Sequence, residues 1–167
     1  KIFLTFDIHV KNILTENVWC DGVRLNQVLL NLLSNATKYT SEGGTIQLSL
    51  SEEKSPKGDN YVRTYIKVKD NGIGMAPEFL KKIFESYIRA DGARIHKTEG
   101  AGLGMAITKY IVDAMEGTIN IKSELDKGTE FLLTFDFEKA VVMEMNMVLP
   151  PWNMLVVDDD KLLCETA

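Results

Sequence analysis

The chain has 167 residues, enough for one compact domain with a real core, and 45% apolar with 26% charged residues is an ordinary globular composition. A formal net charge of −5 argues against a nucleic-acid partner held by a general basic field. Cys20 and Cys164 form no Cys-x-x-Cys pair, no apolar run approaches the roughly 18 residues needed to span a bilayer, and nothing resembles a signal peptide.

These bounds point to a cytoplasmic setting with no membrane contact by the chain itself. The opening at Lys1, already in strand-like sequence, reads as a piece of a longer protein. Lys1 to Ile8 alternates, with Ile2, Leu4, Phe6 and Ile8 on one side, which predicts a half-buried strand. Asp21 stands where an N-cap belongs, ahead of a helix predicted from Gly22 to Tyr39. Leu25, Val28, Leu29, Leu32 and Ala36 share the face that packs on a sheet. Gln27, Asn31, Asn35 and Lys38 form a polar stripe beside it. Such stripes are commonly solvated faces. This one carries two asparagines one turn apart, and their side-chain carbonyls suit an oxygen-liganded cation such as Mg²⁺.

Thr40 to Gly44 is a turn. Thr45 to Leu50 and Tyr61 to Lys69 then alternate as strands, joined by a charged loop from Glu52 to Asn60. Asp70-Asn71-Gly72-Ile73-Gly74-Met75 follows. Asn-Gly is a strong hairpin signal, but no return strand comes after it. Pro77 and Glu78 instead open an amphipathic helix through Phe79, Leu80, Ile83 and Phe84. The unit is strand, glycine loop, helix, with a carboxylate at the strand end. Ser86 to Glu99 has little pattern and has the length of a lid or binding loop. Gly100-Ala101-Gly102-Leu103-Gly104 begins a helix predicted from Ala101 to Glu116. Its apolar face is Leu103, Ala106, Ile107, Tyr110, Ile111 and Ala114, and Gly117 is its stop. Strands over Thr118 to Ser123 and Thr129 to Glu138 complete the domain. The fold class is α/β (α+β): a two-layer sandwich whose mixed, largely antiparallel sheet carries helices on one face.

Residues 1–138 form that domain, and residues 139–153, with Met143, Met145, Met147 and Pro150-Pro151, read as a linker. Residues 154–167 begin something new, an apolar strand ending at Asp158-Asp159-Asp160 and too short for a core.

The glycine clusters fit neither the Walker nor the Gly-x-Gly-x-x-Gly spacing, so P-loop and Rossmann readings fail. What remains is a phosphate site of backbone N–H groups at the start of the second glycine helix. Asp70 is a carboxylate at the end of a mid-sheet strand, able to accept from an exocyclic amine such as that of adenine. With the Asn31–Asn35 stripe and Lys38, the parts sum to an Mg·ATP site.

Residues 1 to 138 resemble the catalytic, ATP-binding domain of bacterial sensor histidine kinases, within the wider superfamily of gyrase, Hsp90 and MutL ATPases. Arg24-Leu25 through Asn31, Asn35-Ala36 and Lys38-Tyr39-Thr40 is similar to the N box, and Asp70 to Met75 to the first glycine box. Ile83-Phe84-Glu85 with Tyr87, Arg89 and Asp91 resembles the phenylalanine box, with Tyr87 where phenylalanine is frequent. Gly100 to Ile107 resembles the second glycine box, with Ala101 where threonine is common, and Lys127-Gly128-Thr129 the last glycine motif. The resemblance implies that Asp70 binds the adenine amine, with Gly72, Ile73 and Met75 around it and Gly74 allowing close approach. It implies Asn35 and Asn31 as Mg²⁺ ligands, with Lys38 and Tyr39 along the nucleotide. Ser86 to Glu99, including Tyr87 and Arg89, would form the ATP lid. Gly100, Gly102, Leu103 and Gly104 would line the phosphates, and Thr129 would sit near the adenine.

Hydrolytic members of the superfamily carry a glutamate one turn before the Mg²⁺ asparagine, and here that place is Asn31, an amide without useful basicity. Transfer to a protein histidine is thereby favoured over a gyrase- or Hsp90-like ATPase, or a docking module without chemistry. Neither His9 nor His96 lies in the His-Glu-x-x-Thr-Pro context of a phosphoacceptor helix, so the acceptor belongs to a separate dimerisation domain. The fragment is then expected to be a monomer that does not phosphorylate itself. Val156 to Lys161 resembles the first strand of a response-regulator receiver, which would make the parent a hybrid kinase.

Overall fold

The computed structural model describes residues 3–85 and 102–140. Asp21 caps the long helix: its carboxylate accepts from the Arg24 backbone N–H at 3.0 Å, and α1 runs Gly22–Tyr39, as its periodicity predicts. Val28, Leu32 and Ala36 are buried along it, with Leu25 and Leu29 packed at their flank.

The sheet contains β1 (Thr5–Lys11), β2 (Val18–Trp19), β3 (Thr45–Lys54), β4 (Tyr61–Asp70), β5 (Thr118–Glu124) and β6 (Gly128–Lys139). The order is β1-β3-β4-β6-β2, and β5 also pairs with β6. β1 and β3 are parallel and every other pair is antiparallel. Alternation along β4 and β6 sends Val62, Ile66 and Val68, opposite Phe137, Leu133 and Phe131, to the helix side. Fully buried side chains such as Leu32 and Leu133 each stabilise the fold by about 1.5–3 kcal/mol. On the opposite face Arg63 grips Asp136 in a bidentate pair, Nε to Oδ1 at 2.9 Å and the terminal nitrogen to Oδ2 at 2.7 Å. Two helices complete the helix layer, α2 (Pro77–Leu80) and α3 (Gly104–Ala114).

Several elements differ from the sequence expectation. The apolar side of β1 is not half-buried: Phe6, Ile8 and Val10 are exposed. They lie in register with Ile46, Leu48 and Leu50, hence on the core side, but at the sheet edge beyond the helices, which pack over β4 and β5. The Pro77 helix stops after four residues. Bonds of the i→i+3 kind then take over, from Lys82 N–H to the Phe79 carbonyl (3.0 Å) and from Glu85 N–H to the Lys82 carbonyl (2.9 Å), and Ile83 enters the core within this turn.

The second glycine helix begins at Gly104 rather than Ala101, and its buried face is Thr108, Ile111 and Val112. Ile107, Tyr110 and Ala114 point outward instead. The buried stripe is rotated by one residue, about 100°, because apolar residues cover more than one face and a threonine holds the centre of the true one. At its C-terminal end Glu116, not Gly117, takes the left-handed conformation (φ 55°). Gly117 is required for packing, since a Cβ there would lie 2.4 Å from the Phe135 ring. β3 extends to Lys54, past the predicted Leu50, and the short β2 is a strand the sequence pattern did not reveal. Residues 141–167, with the expected linker and receiver-like strand, lie outside the described residues.

Candidate functional site

Asp70 ends the central strand β4 and is buried. Its Oδ1 accepts from the Gly72 N–H at 2.9 Å and from the Thr129 N–H at 3.2 Å. Burial pushes the Asp70 carboxyl above its ordinary value, and the two backbone bonds pull against that rise. One oxygen therefore anchors the carboxylate to the frame, and the other is not needed for those bonds. Thr129 is buried beside it, its hydroxyl 2.9 Å from that of Ser123.

The glycine loop after Asp70 is clamped from two sides. Ile73 N–H donates to the Tyr39 carbonyl at the end of α1 (3.1 Å), and the Ile73 carbonyl accepts from Asp126 N–H (2.8 Å). A Cβ on Gly72 would sit 2.2 Å from the Tyr39 carbonyl oxygen. Gly74 has φ 60°, and a Cβ there would lie 1.9 Å from the Glu124 carbonyl oxygen. The close approach that Gly74 permits is thus made by the β5–β6 turn of the chain itself. Met75 packs, half-buried, against the core.

The polar stripe of α1 is solvated at Gln27, which is exposed, but not along its length. Asn31 and Asn35 are half-buried against α3. Asn31 Nδ2 donates to Thr108 Oγ1 at 2.8 Å, and Asn35 Nδ2 lies 3.5 Å from Met105 Sδ. The helix α3 starts beneath them with Leu103 at its N-cap, a side chain that cannot cap it. Gly102 precedes it in the left-handed conformation (φ 72°). A helix start of this kind favours an anion. Lys38 Nζ lies 5.2 Å from the Tyr39 ring centre at the C-terminal end of α1.

So α1 joins two centres, an amide pair facing the start of α3 and, at its C-terminal end, the carboxylate with its glycine loop. The family model described as "Histidine kinase-, DNA gyrase B-, and HSP90-like ATPase" matches residues 20–139. The chain belongs to this family.

Among its relatives in the family, the autoinducer 2 sensor kinase/phosphatase LuxQ of Vibrio vulnificus is 37% identical over 148 residues, 89% of this chain and 17% of that protein. The sensor protein SrrB of Staphylococcus aureus is 38% identical over 123 residues, 73% of this chain and 20% of that protein. The chain thus spans about a fifth of the length of these relatives. Full-length ShkA, solved in complex with AMPPNP, superposes with a TM-score of 0.66 at 33% identity over 82% of this chain and 26% of that one. The mycobacterial sensor histidine kinase MprB shares the fold at a TM-score of 0.65 and 24% identity, over 82% of this chain and 86% of that one.

Within the histidine kinase-, gyrase- and HSP90-like family, this chain is an ATP-binding domain of the sensor-kinase kind. Two of its side chains could serve a magnesium ion. Among the described residues no cluster of three or more His, Cys, Asp or Glu could hold a metal. The available ligands are the amide oxygens of Asn31 and Asn35, hard donors of the type Mg²⁺ accepts alongside phosphate oxygens. Tyr87, Arg89 and Gly100, with the rest of the expected lid, lie outside the described residues. Thr108 and Met105 were not among the predicted site residues. A signal for Thr108 was present, since it is the first polar side chain of α3, one turn after Gly104.

Proposed function

We propose that this domain binds Mg·ATP and hands the γ-phosphoryl group to a histidine on a separate helical domain of the parent protein. A nitrogen of that imidazole forms the new P–N bond as the bond between the β–γ bridging oxygen and the γ-phosphorus breaks, and ADP leaves. The observation that carries the reading is Asp70: a buried carboxylate with one oxygen bonded to Gly72 and Thr129, whose second oxygen would accept from an adenine amine. The start of α3 would take the phosphates, and Asn35 with Asn31 would hold Mg²⁺, which neutralises phosphate charge when bound.

Asn31 supports transfer over hydrolysis. It stands at the position where hydrolytic members carry a glutamate, and an amide cannot take a proton from water. The chain's own histidines are poor acceptors by position. His9 is exposed on β1, its ring nitrogen 3.4 Å from Gln47 Nε2, and His96 lies outside the described residues. The partners are then the parent's dimerisation domain and, through the Val156–Asp160 strand, a receiver domain, with the isolated chain a monomer.

Calorimetric titration with ADP and an ATP analogue, each with Mg²⁺, tests the reading on wild type and Asp70→Asn. The variant keeps an oxygen for Gly72 and Thr129 but offers an amide or a neutral acceptor to the adenine. Binding is expected to weaken about ten- to a hundredfold, the value of a charge-assisted hydrogen bond. Adding a phosphoacceptor helix domain with ATP is then expected to yield phosphohistidine. A wild-type chain that binds neither nucleotide overturns the proposal.

A further inference from the structure

Asn31 and Asn35 of α1 present their amides to α3 in the same sense. Asn31 Nδ2 donates to Thr108 Oγ1 at 2.8 Å and lies 3.8 Å from Met105 Sδ. Asn35 Nδ2 lies 3.5 Å from the same sulfur. A thioether sulfur only accepts, so an amide turned the other way would set its oxygen against it. Thr108 is 1% exposed, and its hydroxyl accepts from Asn31 across the helix pair. The oxygen of Asn31 meanwhile faces Gly104, where a Cβ would come within 2.4 Å of it. That is the first residue of α3, the end at which phosphates would bind.

We propose that Thr108 is a positioning residue, assisted by Met105: together they hold the amide nitrogens of Asn31 and Asn35 on α3, so that both side-chain oxygens are committed to the cation side. This rests on the Mg·ATP reading and adds to it the device that orients the ligands before metal arrives. A carboxylate has two equivalent oxygens and needs no such device. An asparagine does, because half of its end group repels a cation. Thr108 supplies the acceptor at hydrogen-bond distance, and the more distant sulfur of Met105 reinforces the same choice for both amides.

Two measurements on the full chain test this. The first is titration with an unhydrolysable ATP analogue across Mg²⁺ concentrations and with Mg²⁺ chelated. Thr108→Val, which keeps the shape and removes the acceptor, is expected to need about tenfold more Mg²⁺ for the same gain in affinity. Its affinity without Mg²⁺ stays within about twofold of wild type, and Thr108→Ser restores the wild-type Mg²⁺ dependence. The second is the NMR signal of the Asn31 side-chain amide in protein free of metal and nucleotide. It is expected to exchange slowly in wild type and Thr108→Ser, and fast in Thr108→Val.

A Thr108→Val protein with unchanged Mg²⁺ dependence, or with equal losses with and without Mg²⁺, overturns the proposal. So does a Thr108→Ser protein that behaves like the valine variant, since packing rather than the hydroxyl would then matter. A wild-type chain that binds the analogue equally with and without Mg²⁺ removes the metal reading itself, and the amide signal still reports separately whether Thr108 holds Asn31.

Discussion

Asn31 and Thr108 stand 77 positions apart in the chain and are joined by one hydrogen bond of 2.8 Å. That bond faces α1 toward α3, and Gly104, one turn before Thr108, leaves the room Asn31 needs. The sheet-packing side of α1 and the side that faces α3 are therefore separate stripes of a single helix.

Gly104→Ala separates fold from function at this contact. The three atoms nearest the new Cβ all belong to the end of the Asn31 side chain, which can swing away. Thermal melting is expected to stay near wild type. Displacing Asn31 is expected to weaken Mg²⁺-dependent nucleotide binding by about tenfold, roughly the loss of one good hydrogen bond. Calorimetry beside a melting curve reads both, and a large drop in melting temperature would contradict this account.

Gly74→Ala is expected to do the opposite. Here the obstacle is the Glu124 backbone at 1.9 Å, and the left-handed φ of 60° adds its own strain. Together these cost roughly 2–4 kcal/mol of stability, from overpacking plus a non-glycine residue at positive φ. Urea unfolding should show the loss, with Gly74→Ala far less stable than Gly104→Ala.

Acid should weaken nucleotide binding earlier than an ordinary aspartate would. Burial raises the Asp70 carboxyl above 3.8, so the anion proposed to accept from adenine is lost as pH falls through that raised value. The effect on folding has the reverse sign. The folded state holds this proton more tightly than the unfolded chain, so Asp70 adds stability as pH falls through the interval above 3.8 and withdraws it as pH rises. Affinity followed against pH, with unfolding followed in parallel, should show the two trends diverge, and Asp70→Asn should abolish the stability trend.

Asp136 runs the other way. Hydrogen bonding to Arg63 holds its carboxyl below 3.8, helped by the Ser55 hydroxyl at 2.8 Å and opposed by partial burial. Its contribution is present above 3.8 and is lost as pH falls through the lowered folded value. Asp136→Asn is expected to lower stability at neutral pH and to flatten the acid limb of a stability–pH curve. An unchanged acid limb would remove this pair from the account of acid sensitivity.

Much of the frame was legible because its signals are local. Asp21 followed by a periodic run predicts α1 and its cap, and strict alternation predicts β4 and β6 with their buried sides. Thr5–Lys11 shows the limit of such reasoning. Alternation told which residues share a face, but not that the helices end short of the sheet edge and leave Phe6, Ile8 and Val10 uncovered. In α3 the hydrophobic pattern misplaced the buried side, because Thr108 is a polar residue whose burial depends on a partner 77 positions earlier. Likewise Gly74 and Gly117 read as a ligand-loop and a helix-stop glycine, whereas their missing side chains make room for the Glu124 carbonyl and the Phe135 ring.

By itself the sequence determined the residue types of the site and the elements that carry them: a carboxylate at a strand end, a pair of amides one turn apart, and glycines at a helix start. Periodicity and turn chemistry act over a few residues, so they survive in one dimension. Only the tertiary structure decided which atoms of those residues face inward. Asp70 gives one oxygen to Gly72 and Thr129, and Asn31 gives its nitrogen to Thr108. The reason is that a buried polar atom takes whatever partner the packing of distant elements brings within about 3 Å, and that distance is set by the fold.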